Sequence, residues 1–363
     1  MFRLIIILLL FTGANAYCFE SAEYITLDKY ISAHPAQRSI MERFSGVVSE
    51  KAEPAALRMQ DPVNIAVIYP GIQKSNYWRD SVTSMEKRLD ELGIRYDLHP
   101  YFSKPSGDYR LQVLQLSEAV RDHAQYIAIS VDDENIKRLV TNLLAKDTPK
   151  IFIQNLTTPL PIWEKNPPFM YVGFDHTEGA KMIADQYAKM FPRGAKYLML
   201  YGSKGSVSTL RGDGFESYGL TKGFVAEAKF YTDFSSDRAY EAVKESLAKH
   251  PDISFIYTCS TDIAIGASKA LEEMGLTGKI PVNGWGGTLN ELELIKQKKL
   301  DFTVMRMNDD NGVAIAEAIK LDILKKADSV PHIFSGEFVT VTKDMSPDYI
   351  DKLTERALRY SAK

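Results

Sequence analysis

Arg306 closes an apolar run, Phe302-Thr303-Val304-Met305, and Met307 follows it. Residues of that kind prefer a pleated, half-buried strand. An arginine taken into such surroundings costs on the order of several kcal/mol unless an anion or water meets it. A second arginine, Arg211 in "LRGDGF", lies just past the apolar run "YLMLYG". Other polar and aromatic residues hold the same place, directly after a strand-like run. They are Gln73, Ser75 and Trp78 after "NIAVIYP", Asn155 after "KIFIQ", Ser260, Thr261 and Asp262 after "FIYTC", and Trp285 after "PVNG". Guanidinium groups, amides, hydroxyls and indoles in one set can hold a small polar ligand.

Each of these residues also has a plainer use. Ser260 and Asp262 suit the start of a helix, as cap and first-turn acid. Trp78 can anchor a helix to a core, Arg211 can pair with Asp213 on the surface, and Arg306 can pair with Asp309 or Asp310. Trp285 between Gly284 and Gly286 suits a core less well, because flanking glycines mark close approach of a ligand or backbone. Asn155-Leu156-Thr157 is formally a glycan acceptor, but at the end of a buried strand the amide is better placed for hydrogen bonds. Bond-making constellations are missing. The six histidines, at 34, 99, 123, 176, 250 and 332, are scattered and show no metal spacing. No G-x-S-x-G elbow occurs. "YPGIQKSNYW" lacks the dinucleotide fingerprint, and Gly202, Lys204 and Gly205 make no P-loop. The chain reads as a binding protein and not an enzyme, with no metal or cofactor.

Strands and helices must converge for this set to meet. From Asn64 onward, short β-rich runs alternate with amphipathic helical runs, the pattern of a parallel sheet wrapped by helices. "NIAVIYP", "IRYDLHPYF", "YIAIS" and "KIFIQN" form one series, with helices over Tyr109–His123 and Asn135–Ala145 among the connections. "TTPLPIWEKNPP", with prolines at 159, 161, 167 and 168, reads as a connector. A second series follows: "FMYVGFD", "KYLMLYG", "KFYTDFS", "FIYTCS" and "PVNGWG". Then come "TVMRM", a helix over Asp310–Leu324, "GEFVTVTK" and a last helix. The fold class is α/β: two doubly wound parallel-sheet lobes joined by three crossing segments, as in a clam-shell. One lobe comprises residues 61–168 and 307–335, and the other 169–306 and 336–363. Crossings are expected near Pro159–Pro168, Met307 and Ser335–Phe338. Residues 17–60 form an extension with helical patches at Leu27–Ile31 and Arg38–Phe44. In open parallel sheets ligands sit beyond the carboxyl ends of the strands, where the residues above stand.

Composition sets the compartment. The 363 residues carry a formal charge of −3 and are 45% hydrophobic, so there is no electrostatic footprint for nucleic acid. "MFRLIIILLLFTGANAYC" places Arg3 before an apolar run and ends in Ala14-Asn15-Ala16. It reads as a secretory signal at residues 1–16, cleaved after Ala16 and too short to span a bilayer. The alternative, a lipoprotein anchored at Cys18, is disfavoured because Tyr17 is not small. With only Cys18 and Cys259 present, the plain reading is a terminal thiol and a buried small hydrophobe.

The segments "PPFMYVGFDHTEG", "FIYTCSTDIAIGA", "NGWGG" and "TVMRMNDDNGVAIAEAIK" resemble the LuxP-type autoinducer-2 receptors. Those are type I periplasmic binding proteins of the ribose-binding kind, and the likeness runs from about Tyr69 to the C-terminus. It departs from plain sugar binders in having Trp285 in place of an aspartate, and in having Arg306 at all. The resemblance implies a periplasmic protein that binds the furanosyl borate diester called autoinducer-2, with boron present only as part of the ligand. It implies that Arg211 and Arg306 face the borate, that Gln73, Ser75, Asn155 and Thr261 bond ring oxygens, and that Trp78 and Trp285 supply aromatic contacts. It also implies a partner, the periplasmic domain of a LuxQ-like sensor histidine kinase, and no insertion into the membrane once the signal is removed. The competing expectation is the sugar-binding subunit of an ABC importer. A transcription repressor on the same lobes needs a helix-turn-helix where the signal sequence stands.

Overall fold

The structure, a computed structural model, describes residues 24–56, 60–146 and 149–362. The expected signal sequence, its cleavage point and Cys18 lie outside the described residues. Five strands follow the extension: β1 Val63–Tyr69, β2 Tyr96–Phe102, β3 Tyr126–Ile129, β4 Lys150–Gln154 and β5 Met170–Gly173. Five more build the second lobe: β6 Ala195–Tyr201, β7 Phe224–Tyr231, β8 Phe255–Thr258, β9 Asn283–Gly286 and β10 Phe302–Arg306. The chain then returns for β11, Ile333–Ser335, and crosses again for β12, Phe338–Thr342.

The first sheet is wholly parallel, in the order β11-β5-β4-β3-β1-β2. The second lobe holds β7-β6-β8 and β9-β10-β12, joined by a parallel bridge between Ile256 and Val282. Among the described strands only β12 runs antiparallel, against β10. Helices cover both faces of the inner strands. β3, β5 and β10 are therefore buried at every residue, as continuous apolar runs require. Two first-lobe helices, Tyr77–Glu91 and Asp310–Ile323, cross closely at Gly312, where an added Cβ would lie 2.1 Å from the Ser81 carbonyl oxygen. That crossing seats the start of the first helix beside the chain leaving β10.

Three differences from the sequence reading concern pairing. The run "FMYVGFD" was expected to open the second lobe at residue 169, but β5 pairs with β4 and β11 in the first sheet. The crossing therefore follows Gly173. Pro159–Pro168 packs on the first lobe, where Trp163 is buried and its indole donates to Thr141 at 2.7 Å. The strand expected in "KFYTDFS" lies earlier, at β7, because Asp233 and Phe234 take positive φ values of 52° and 56° and turn the chain. The extension forms helices Leu27–Ala33 and Pro35–Ser49. Phe44 packs edge-on to Phe334 at 6.0 Å. The carbonyl oxygens at the end of the second helix accept from two arginines: Arg88 reaches Val47 at 3.1 Å and Arg359 reaches Ser49 at 3.1 Å.

Candidate functional site

A cavity of about 210 Å³ lies between the lobes. Gln73, Ser75, Trp78 and Asn155 line it from the first lobe, and Arg211, Thr261, Trp285 and Arg306 from the second. All eight residues that the resemblance assigns to the ligand therefore reach one space, and Ser260 and Asp262 line it as well, although the set is spread over more than two hundred positions.

Arg306 ends β10 and is 5% exposed; Arg211 sits in a single π-turn, Thr209–Asp213, and is 4% exposed. Among the described residues neither has an ion pair. Asp309 is occupied by Ser361 and the Tyr360 amide, and Asp310 by Arg356 and Arg359 at 2.9 and 3.0 Å. Asp213 accepts from the Tyr201 hydroxyl at 2.8 Å. The salt-bridge alternatives for both arginines are thereby overturned. Aromatic faces serve in their place. The Arg306 guanidinium lies 4.0 Å from the Tyr77 ring centre, and that of Arg211 lies 4.1 Å from Trp285. Arg306 makes no hydrogen bond to a described residue, and its Nε is buried without a partner. Arg211 donates to the Cys259 carbonyl at 2.9 Å and to His176 Nδ1 at 3.3 Å.

Burial, assisted by the charge of Arg306, lowers the Arg211 pKa to about 10; burial lowers that of Arg306 as well. His176 is driven well below the usual histidine range by burial and then by Arg211. It is therefore neutral. Because Nδ1 accepts from Arg211, the proton sits on Nε2 and is donated to the Asn155 carbonyl at 2.9 Å. The two guanidinium groups thus enter the cleft without an ion pair to any described carboxylate, although Asp108, Asp132, Asp133 and Asp262 also line it, and an acceptor-rich ligand is their hydrogen-bonding complement.

The neutral groups complete the lining. Asn155 takes a positive φ of 68°, and its side-chain oxygen is buried without a partner. The Thr261 hydroxyl donates to the Trp285 carbonyl at 3.3 Å. Trp285 spends its indole N–H on the Tyr257 hydroxyl at 3.2 Å, so it offers the cavity a ring and no donor. Trp78 packs between Tyr69 and Tyr77, each 4.8 Å away. Ser260 caps its helix at Ile263, as expected. Asp262 does something the sequence did not suggest. Its carboxylate accepts from the backbone amides of Lys74 and Ser75 across the cleft, at 3.2 and 3.1 Å. Contacts of Lys74 with Ser236 and of Ser206 with Asp132 also join the lobes, so the clam-shell is closed.

Residues 65–326 match the periplasmic binding protein domain family. The chain belongs to that family. The ribose import binding protein RbsB of Salmonella typhimurium is 28% identical over 153 residues, 41% of this chain and 51% of the relative. The D-allose-binding periplasmic protein of Escherichia coli is 24% identical over 276 residues, 73% and 86% of the two chains. This periplasmic binding protein spans about half the length of the ribose import relative it matches. A glucose-galactose binding protein from Geobacillus stearothermophilus shares the fold with a TM-score of 0.69 at 19% identity, covering 79% of this chain and all of that one. A fructose binding periplasmic domain of a hybrid two component system does so at 0.71 and 16%, covering 81% and 95%. Among the described residues no helix is long and apolar enough to cross a membrane.

Sequence reasoning missed further residues lining the cavity of this periplasmic binding protein: Tyr77, Gln154, Asp132 and Ser206. Tyr77 adjoins Trp78 at a helix start and reads as core. Gln154 ends β4 directly before Asn155 and stood in the quoted strand, so the strand-end rule could have found it.

Proposed function

We propose that this periplasmic binding protein closes over a compact, hydroxyl-rich anion, the furanosyl borate diester autoinducer-2, and passes its occupancy to the periplasmic domain of a LuxQ-like sensor histidine kinase. The observation that supports this reading is the pair of buried arginines, Arg211 and Arg306, without a carboxylate partner. A neutral sugar would offer the two guanidinium groups only neutral acceptors, whereas each charge-assisted bond to an anion contributes roughly 1.5–3 kcal/mol. Boron enters only with the ligand. Export to the periplasm follows from the family, and the signal at residues 1–16 supplies the route.

A second reading is favoured by the relatives, whose names are those of ribose and allose binding proteins: a sugar-binding subunit that delivers its ligand to an ABC importer. The fold does not choose, since it also serves a two component system. Calorimetry with ribose, D-allose and autoinducer-2, the last with and without borate, separates the two. Tight, borate-dependent binding of autoinducer-2 with no response to millimolar sugar supports the receptor. Tight sugar binding without a response to autoinducer-2 would overturn the receptor reading in favour of a sugar-binding one. Co-purification with the kinase periplasmic domain or with a permease tests the partner.

A further inference from the structure

We propose that Tyr77 is the positioning residue of the anion site: its ring face holds the Arg306 guanidinium in place while leaving the N–H groups free for ligand. The inference rests on the anion reading of the cleft. A buried arginine is ordinarily held by a carboxylate. Such a partner would consume its donors permanently and compete with the ligand. A ring face stabilises the cation through its quadrupole and takes no N–H group. Arg306 meets the Tyr77 ring at 4.0 Å and has no hydrogen bond to a described residue.

Both components are fixed by their surroundings. The Tyr77 hydroxyl accepts from Asn311 Nδ2 at 2.9 Å, and its carbonyl oxygen from Asn308 Nδ2 at 3.4 Å. Asn308 lies on the crossing that leaves Arg306, and Asn311 in the first turn of the helix Asp310–Ile323 that follows it. The Trp78 ring packs edge-on against Tyr77 at 4.8 Å. Gly286 leaves room for the guanidinium, since an added Cβ there would lie 2.3 Å from Arg306 Nη2. Tyr77 opens a first-lobe helix and Arg306 ends a second-lobe strand. The stack therefore spans the lobes, and closure completes the anion site.

The test compares autoinducer-2 affinity with and without borate by calorimetry, in wild type, Tyr77→Leu, Tyr77→Phe and Tyr77→Leu/Arg306→Met. Loss of the ring face should cost Tyr77→Leu about tenfold in the borate-dependent part of the affinity. Tyr77→Phe, which keeps the face and loses the hydroxyl, should retain it. In the Arg306→Met background the leucine substitution should cost nothing further, because both changes remove one interaction. An equal loss with and without borate in Tyr77→Leu would reduce the residue to packing and overturn the proposal. So would loss of borate dependence in Tyr77→Phe, which decides the matter even if Tyr77→Leu fails to fold. A wild-type protein indifferent to borate would instead overturn the anion reading itself.

Discussion

Replacing Arg306 by methionine separates an anion site from a structural arginine. The side chain is almost wholly buried at the end of β10, and no carboxylate reaches it. Methionine keeps the apolar strand and fills most of the volume. Without ligand, the variant loses the close cation–ring contact with Tyr77, worth up to about 2 kcal/mol when desolvated, and a longer one with Phe174 at 5.8 Å. It also loses the cost of burying an unpaired cation, which is at least as large. The melting temperature of the ligand-free protein should therefore stay level or rise. Binding should weaken by roughly 1.5–3 kcal/mol, about ten- to a hundredfold in Kd. Arg306→Lys should bind poorly too, since an ammonium cannot reproduce the planar fork. Calorimetry gives the Kd and a thermal melt gives the stability of the same samples. A lowered melting temperature with wild-type affinity would show that Arg306 serves the fold, and the electrostatic argument would fail.

Asp262→Ala removes the acceptor that joins the lobes through Lys74 and Ser75, so the ligand-free variant should be more open. Small-angle scattering should show a larger radius that ligand only partly restores; an unchanged radius argues that the other cross-cleft contacts suffice. His176 and His332 are held neutral by burial, with pKa values below the ordinary histidine value. The unfolded chain binds protons that the folded chain refuses, so stability is complete above about pH 6.5 and falls below it, by up to about 1.4 kcal/mol per pH unit for the fully buried His176 and by less for the partly exposed His332, where solvent screens the effect. Urea unfolding at pH 7 and 5.5 should show a shallower fall in His176→Asn than in wild type; equal slopes would remove His176 from the account. Burial pushes the Cys259 thiol to about 12, so a thiol reagent at pH 8 should modify it only after denaturation. Rapid modification of Cys259 in the native protein would contradict its place beneath Arg211.

The strand-end positions were legible because a parallel sheet delivers the residues after its strands to one edge whatever their distance in sequence. What could not be read was which strand pairs with which. β5 looks like the start of a new series after four prolines, and only its hydrogen bonds to β4 and to the distant β11 place it in the first lobe. The same holds in the site. Tyr77 carries no sign that an arginine 229 positions later will lie on its ring. Asp262 looks like a helix-start acid because its partners are backbone amides, which leave no trace in residue type. The buried cation itself was visible from Arg306 alone, since the cost of burying an arginine in an apolar strand is local.

The cleft's charge preference is tested most directly by what the protein carries. Heat release of the ligand from protein purified out of its own periplasm, followed by mass and boron analysis, should yield one furanosyl ligand with one boron per chain. A neutral pentose or hexose in its place, with no boron, would contradict the account.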